Sequence, residues 1–400
     1  MTTPAIRFGL PLLIAIGLAW GFFVLNGQGP EGRPLAFSLA IGAAFGVVLQ
    51  RSRFCFYCNF RDLIEKRQAA GVIAILVALG VGAIGYTAIF GAWLPTPAPG
   101  RLPPTAHIGP VSLTLVIAAF AFGIGMAISG SCLSAHFYRL AEGSVISPFA
   151  IIGAGLGFGL GFLTWNPLFL AITSNAFILW LPNIFDYAGA LAITIAALAA
   201  LAVAALWWAR PAMSEPAASL TLGEAIDRVF FHRWPAVLGG TLVGIISTLA
   251  YFRVAPLGVT AELGSIVRTA GTAWDVLPGT LFGLDGLRGC ATIIKEALLS
   301  HNGLFVIGLI GASFITSLIA GQFKPRRLTG LDVVRGLSGG LLLGWGSMTA
   351  LGCTVGVLLS GIHAGSLSGW VFLLASCMGI LAALFLAKLV SGRAVAPQTA

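Results

Sequence analysis

Residues 112–129 read SLTLVIAAFAFGIGMAIS, and Gly130, Ser131 and Cys132 follow at once. The run holds no charged side chain. At about 1.5 Å per residue it makes a helix roughly 27 Å long, close to the ~30 Å hydrocarbon thickness of a bilayer. It ends on a glycine, a serine and a thiol, small groups that let the backbone turn. A helix apolar on every face belongs in a membrane or a large core. The stretch therefore reads as a membrane span that breaks at a cysteine.

Similar runs recur outward in both directions. The expected spans are 8–25, 35–50, 69–91, 112–129, 146–170, 185–208, 235–253, 303–321, 333–350 and 367–390. Composition points the same way: 58% of the 400 residues are hydrophobic and 9% are charged, against about 25% charged in soluble proteins. The 53 glycines suit helices that pack closely in lipid. Arg7 precedes an apolar run as in a signal peptide, but the run is long and 26–29 offers no small-residue cleavage site, so it reads as a retained span. The expectation is an all-α polytopic membrane protein, with about ten transmembrane helices and short re-entrant half-helices.

The formal charge of +9 does not point to nucleic acid, because no basic run is interleaved with aromatics. Basic residues instead mark cytoplasmic loops. The apolar piece 272–286 is short and carries Asp275, Pro278 and Asp285. If it dips in and returns, 16 of the 22 basic residues fall on one side. That choice gives ten full spans with both termini cytoplasmic. The longest polar stretch, 210–234, reads as a loop with an amphipathic helix over 220–231.

An internal repeat follows from the cysteines. Gly123 and Gly125 precede Cys132 by the spacing with which Gly344 and Gly346 precede Cys353. Gly143-Ser144 and Gly365-Ser366 follow, offset by one residue. Upstream, Arg51, Arg53 and Cys55 are followed by Arg61-Asp62, and Arg288, Gly289 and Cys290 by Lys295-Glu296. Each half reads as cysteine turn, span, span, cysteine turn, span. The expected repeats cover about 35–170 and 260–390, joined by a connecting span and loop at 185–234. On the topology above they are inverted, an arrangement that brings broken helices together near the midplane.

Cys55, Cys132, Cys290 and Cys353 each sit at such a break, with Gly130-Ser131, Gly289 and Gly352 as the small residues before the last three. A short helix starting at a cysteine aims free N–H groups and its positive end at the pore centre, which favours an anion. Expected half-helices are 132–140, 291–299 and 353–360. Arg51, Arg53, Arg61, Arg139, Arg288 and Lys295 lie nearby as anion-attracting charges. A thiol is a weak donor with a soft surface, so it suits a substrate with a terminal sulfur better than a hard oxyanion. Cys377 inside the last span reads as a small hydrophobe. His136 reads as a satisfied polar residue, and with His363 in the matching turn it leaves proton coupling open.

These residues resemble the YeeE/YedE family of bacterial inner-membrane sulfur transporters, whose characterised activity is thiosulfate uptake. The likeness rests on Arg51-Ser-Arg-Phe-Cys55-Phe56, Gly130-Ser-Cys132, Tyr138-Arg139, Glu142-Gly143, Gly289-Cys290 and Gly352-Cys353-Thr354-Val-Gly356, and extends through Ser360-Gly-Ile-His363-Ala-Gly365-Ser366. The resemblance implies an hourglass-like fold with inward-folded short helices. It implies that Cys132, Cys290 and Cys353, with Cys55 more peripheral, contact thiosulfate through S–H···S bonds. It also implies a cytoplasmic sulfur-carrier protein as partner. The chain departs at Gly-Ser-Cys-Leu, where Gly-Gly-Cys-Thr is expected, and at Ser134-Ala135-His136, so the first-half turn is bulkier.

The expected function is uptake of thiosulfate or a related sulfur anion along a series of thiols, with no enzyme activity, cofactor or metal. A selenium-containing anion is an alternative substrate. A thiol-redox enzyme using Cys55, Cys58 and Cys132 is the main alternative activity. A soft-metal transporter fits less well, because basic residues beside the cysteines repel cations.

Overall fold

The computed structural model describes residues 5–98, 100–210, 227, 231–284, 292–295 and 299–391. In chain order it contains α1 (Leu10–Gly27), α2 (Gly32–Ser52), α3 (Phe56–Lys66), α4 (Ala70–Trp93), α5 (Leu113–Ser129), α6 (Leu133–Leu140) and α7 (Ser147–Ala171). Then follow α8 (Pro182–Trp208), α9 (Ala236–Arg253), α10 (Val259–Ala273), α11 (His301–Ile319) and α12 (Gly330–Thr349). A π-helical turn (Thr354–Leu359) continues into α13 (Ser360–His363), and α14 (Leu367–Ser391) closes the chain. The only strands among the described residues are β1 (Pro110–Val111) and β2 (Phe177–Ile178), paired antiparallel.

Ten of these helices are long and apolar enough to cross a membrane: α1, α2, α4, α5, α7, α8, α9, α11, α12 and α14. Their ends match the expected spans to within three residues. The outward faces carry Trp20, Trp207 and Phe385, all more than half exposed, while Ser247, Ser313 and Ser376 are fully buried. Large apolar side chains facing outward along the spans, with small hydroxyls turned inward, are what lipid selects. The protein is an all-α polytopic membrane protein.

The spans pack in matched pairs. α7 lies on α12 and α5 on α14; α2 lies on α11 and α4 on α9; α1 lies against α11 as α8 lies against α4. Exchanging the first five spans with the last five, in order, turns each pair into another of the set. Glycine permits the close approach. A Cβ on Gly344 would stand 2.0 Å from the Ala154 carbonyl oxygen of α7, and one on Gly42 2.1 Å from that of Phe305 in α11. Gly344→Ala is expected to force α12 off α7 and cost about 1–3 kcal/mol. A fall in the Tm of detergent-solubilised protein would show it, and an unchanged Tm would contradict this packing.

The stretch 274–284 forms no helix and is fastened to the end of α7. Asn166 Nδ2 donates to the Thr280 carbonyl and its Oδ1 accepts from Phe282 N–H, both at 2.9 Å. Trp165 Nε1 donates to the Phe282 carbonyl at 2.8 Å. One expected half-helix is corrected here: in 291–299, residues 292–295 are not helical. Ile293 N–H donates to Ser265 Oγ at 3.0 Å and Lys295 N–H to Thr269 Oγ1 at 2.8 Å, so these donors bond to α10 instead of to their own turn. Arg288, Gly289 and Cys290, and most of the amphipathic helix expected over 220–231, lie outside the described residues.

Candidate functional site

Three cysteine turns shape the interior. α2 stops where Arg53 adopts φ 52, and Cys55, in extended backbone, caps the start of α3. α5 stops where Gly130 adopts φ 83, a left-handed geometry that glycine takes at no steric cost, and Cys132 caps α6. α12 stops where Leu351 adopts φ 64 and Gly352 φ 149, and Cys353 caps the Thr354–Leu359 turn. All three cysteines are buried. Val355 N–H points at Cys353 Sγ, 3.4 Å away. So each thiol stands at the N-terminal, positive end of a short helical segment.

Two of the turns meet. Cys55 Sγ lies 3.8 Å from Cys132 Sγ and 3.9 Å from Ser131 Oγ, and Cys132 Sγ lies 4.0 Å from Ser134 Oγ. Arg139, at the end of α6, reaches back to brace the turn. Its Nη1 donates to the Gly130 carbonyl at 3.1 Å and to Ser131 Oγ at 2.8 Å. The Cys353 turn faces this pair across a cavity of about 30 Å³ that Cys132, Ser134, Thr354, Val355, Phe54 and Phe56 help to line. Behind Gly352 lies a smaller cavity of about 10 Å³.

Beyond Arg139 the interior opens into a vestibule of about 370 Å³. Arg53, Arg139, Arg233, Lys324 and Arg326 line it, with Glu142 as the one acid among its lining residues. Burial, and then repulsion from Arg53, draws the Arg233 guanidinium down to about 10, so it stays charged at neutral pH in a crowd of like charges. Such a space favours anions. It lies at the end of the bundle where Lys324 N–H bonds the Glu142 carbonyl, Trp234 N–H that of Arg51, and Arg210 N–H that of Arg67. Arg7 joins that end through the Ile319 carbonyl.

The structure thus brings Cys55, Cys132, Gly130, Ser131 and Arg139 together, sets the turn that Cys353 caps across the central cavity through Thr354 and Val355, puts Gly352 at the smaller cavity, and puts Arg53 in the vestibule. Other expected charges stand elsewhere. Buried Arg51 donates to the His232 carbonyl. Arg61 pairs with Asp62 at 3.0 Å and Glu65 at 3.9 Å. Lys295 pairs with Glu262. Cys58 turns its thiol to the Gly130 carbonyl at 3.9 Å, and Cys377 is half-buried in α14. The histidines are held structurally: His136 Nδ1 bonds Ser147 Oγ at 3.1 Å, and His363 bonds Ser247 Oγ at 3.2 Å and the Ala78 carbonyl at 3.1 Å.

Sequence reading missed Arg233, Lys324 and Arg326 as site residues, because basic loop residues read as topology anchors. It also missed Glu262. The charge-dense run from Lys324 to Arg327 was the available signal.

The chain is 29% identical over 352 residues to the thiosulfate transporter TsuA of Spirochaeta thermophila, covering 83% of this chain and 93% of that protein. It is 26% identical over 372 residues to the thiosulfate transporter TsuA of Escherichia coli, covering 87% and 93%. It is also 28% identical over 189 residues to the probable transporter YedE of Salmonella typhimurium, covering 47% and 44%. The Sulphur transport family model matches residues 51–382, a stretch that takes in the Cys55, Cys132 and Cys353 turns and the spans between them, and the chain belongs to that family.

Proposed function

We propose that the protein takes up thiosulfate, or a closely related small sulfur anion, across the bacterial inner membrane. The observation that carries the reading is the row of spaces and thiols. The cavity behind Gly352, Cys353, the central cavity, the Cys132–Cys55 pair and the basic vestibule follow one another. A soft terminal sulfur meets soft thiols along this row, each held weakly enough for the anion to move on. The vestibule then draws the ion off the thiols. The family resemblance implies Cys290 as a further thiol of the path, and its neighbour Arg288 would serve as an anion-attracting charge at the outer entry; both lie outside the described residues.

The basic end of the bundle is cytoplasmic by the positive-inside rule, and ten spans put both termini there. The pairing of spans supports two inverted halves. A cytoplasmic sulfur-carrier protein would receive the anion at the vestibule. The cationic surround and the match of thiol to sulfur support anion transport over metal transport.

Complementation tests the function. A bacterium lacking its own sulfate and thiosulfate uptake should grow on thiosulfate when it expresses this protein. Failure to grow with the protein correctly inserted would overturn the thiosulfate assignment. The vestibule makes a separate prediction. In inside-out vesicles at low salt, the Arg233→Gln, Lys324→Gln double variant should slow thiosulfate counterflow on the order of tenfold. The gap should narrow as salt screens the charges. Equal rates at low salt would show that these charges do not attract the ion.

A further inference from the structure

The cavity behind the Cys353 turn is lined by Thr260, Thr292 and Ser347, together with Gly352, Phe158 and Met348. The three hydroxyl residues are 1%, 5% and 1% exposed, and none of the three hydroxyls has a hydrogen-bond partner among the described residues. Buried polar groups are nearly always partnered, because an unmade bond leaves the desolvation cost uncompensated. Three such groups around one cavity leave hydrogen bonds that an oxygen entering it can make.

The hydroxyls come from separate elements and are held in place. Thr260 lies in the first turn of α10 and Ser347 near the end of α12. The Thr292 stretch is pinned to α10 by the bonds to Ser265 and Thr269 already described, and by Arg268 Nη1, which donates to the Thr292 carbonyl at 2.5 Å. Gly264 lets that stretch approach, since a Cβ there would stand 2.5 Å from Thr292 Cγ2. The Ser347 carbonyl accepts from Gly352 N–H at 2.7 Å, which couples this hydroxyl's backbone to the cysteine turn. Arg268 on α10, whose guanidinium donates to the Thr292 carbonyl, brings a positive charge to this stretch, while the charge of Lys295 is matched by Glu262.

We propose that Thr260, Thr292 and Ser347 form a hydroxyl station that binds an oxygen of the sulfur anion as it reaches Cys353. The station rests on the transport reading above and adds a polarity to it. Thiosulfate has two unlike ends: hard oxygens, which suit O–H donors, and a soft terminal sulfur, which suits a thiol. With Cys353 following Gly352 directly, the station takes the oxygen end and presents the sulfur end to the thiol. A cavity of about 10 Å³ admits one oxygen-sized group, so the station grips a single oxygen.

The test measures binding on the purified full chain in detergent, with Thr260→Val, Thr292→Val and Ser347→Ala, using thiosulfate, sulfite and hydrosulfide as probes. Each variant should raise the Kd for thiosulfate about tenfold or more, the order expected for a lost hydrogen bond to a charged group. Thr260→Ser and Thr292→Ser should restore it. Hydrosulfide, which has no oxygen, should bind parent and variants alike. The ligand-free Tm should hold or rise, because each substitution removes an unpartnered buried hydroxyl. Parental Kd values for thiosulfate in all three variants, or a ligand-free Tm that falls with each deletion, would overturn the station. A parent that binds sulfite in a hydroxyl-dependent way but not thiosulfate would uphold the station and overturn the thiosulfate reading.

Discussion

Cys132→Ala is expected to lower thiosulfate uptake by about 10- to 100-fold, the range given by one lost hydrogen bond to a charged group. Cys132 stands between the central cavity and the Cys55 turn on the proposed path. Its thiol touches Cys55 at 3.8 Å and also lines the central cavity toward the Cys353 turn. Alanine keeps the backbone turn, which Gly130 and Arg139 set, and removes only the soft donor. Cys132→Ser should recover part of the activity, because a hydroxyl donates well but matches a terminal sulfur poorly. Cys377→Ala, in the last span, should leave uptake at the parental level. Isotope uptake at matched membrane abundance decides the matter, and parental uptake by Cys132→Ala would remove this thiol from the path.

The largest stability effect is expected at Glu262. Its carboxylate pairs with Lys295 and accepts from Ser300 Oγ at 2.5 Å, and Ser300 in turn caps α11 by accepting from Gly303 N–H at 3.0 Å. The side chains of the ion pair are each 9% exposed. Glu262→Ala therefore leaves a buried ammonium without its counter-charge, which costs about 3–5 kcal/mol. It also removes one of the ties between α10 and the segment that carries Thr292. The double change Glu262→Met, Lys295→Met should recover most of the loss, because a buried pair replaced whole by apolar groups is close to neutral. Thermal unfolding in detergent reads both. A Glu262→Ala Tm equal to the parent's would show that the pair carries no such burden.

How far the sequence could be read follows from where each signal lies along the chain. The ten spans were legible because a membrane helix announces itself within one window of about 20 residues. The Cys132 and Cys353 turns were legible because Gly130 and Gly352 interrupt such windows at the break itself. α3 and α10 were not, since a short amphipathic helix looks like a polar loop beside long apolar runs. The stretch 292–295 misled in the other direction. It was expected to be helical from its place after a cysteine turn, yet its Thr292, Ile293 and Ile294 are β-branched, and the hydroxyls of Ser265 and Thr269 on α10 capture its N–H groups. The vestibule gathers Arg53, Arg139, Arg233 and Lys324 from four distant segments, and no local pattern marks which loop arginine faces inward. The three hydroxyls behind Cys353 are equally scattered and are ordinary residues until the fold places them at one cavity.

The central claim is best tested by radiolabelled thiosulfate uptake into proteoliposomes containing the purified full chain. Saturable uptake is expected, suppressed by excess unlabelled thiosulfate but not by excess sulfate, and lost in Cys132→Ala and in Cys353→Ala. Uptake no greater than in empty liposomes, with the protein shown to be folded and inserted, would contradict it.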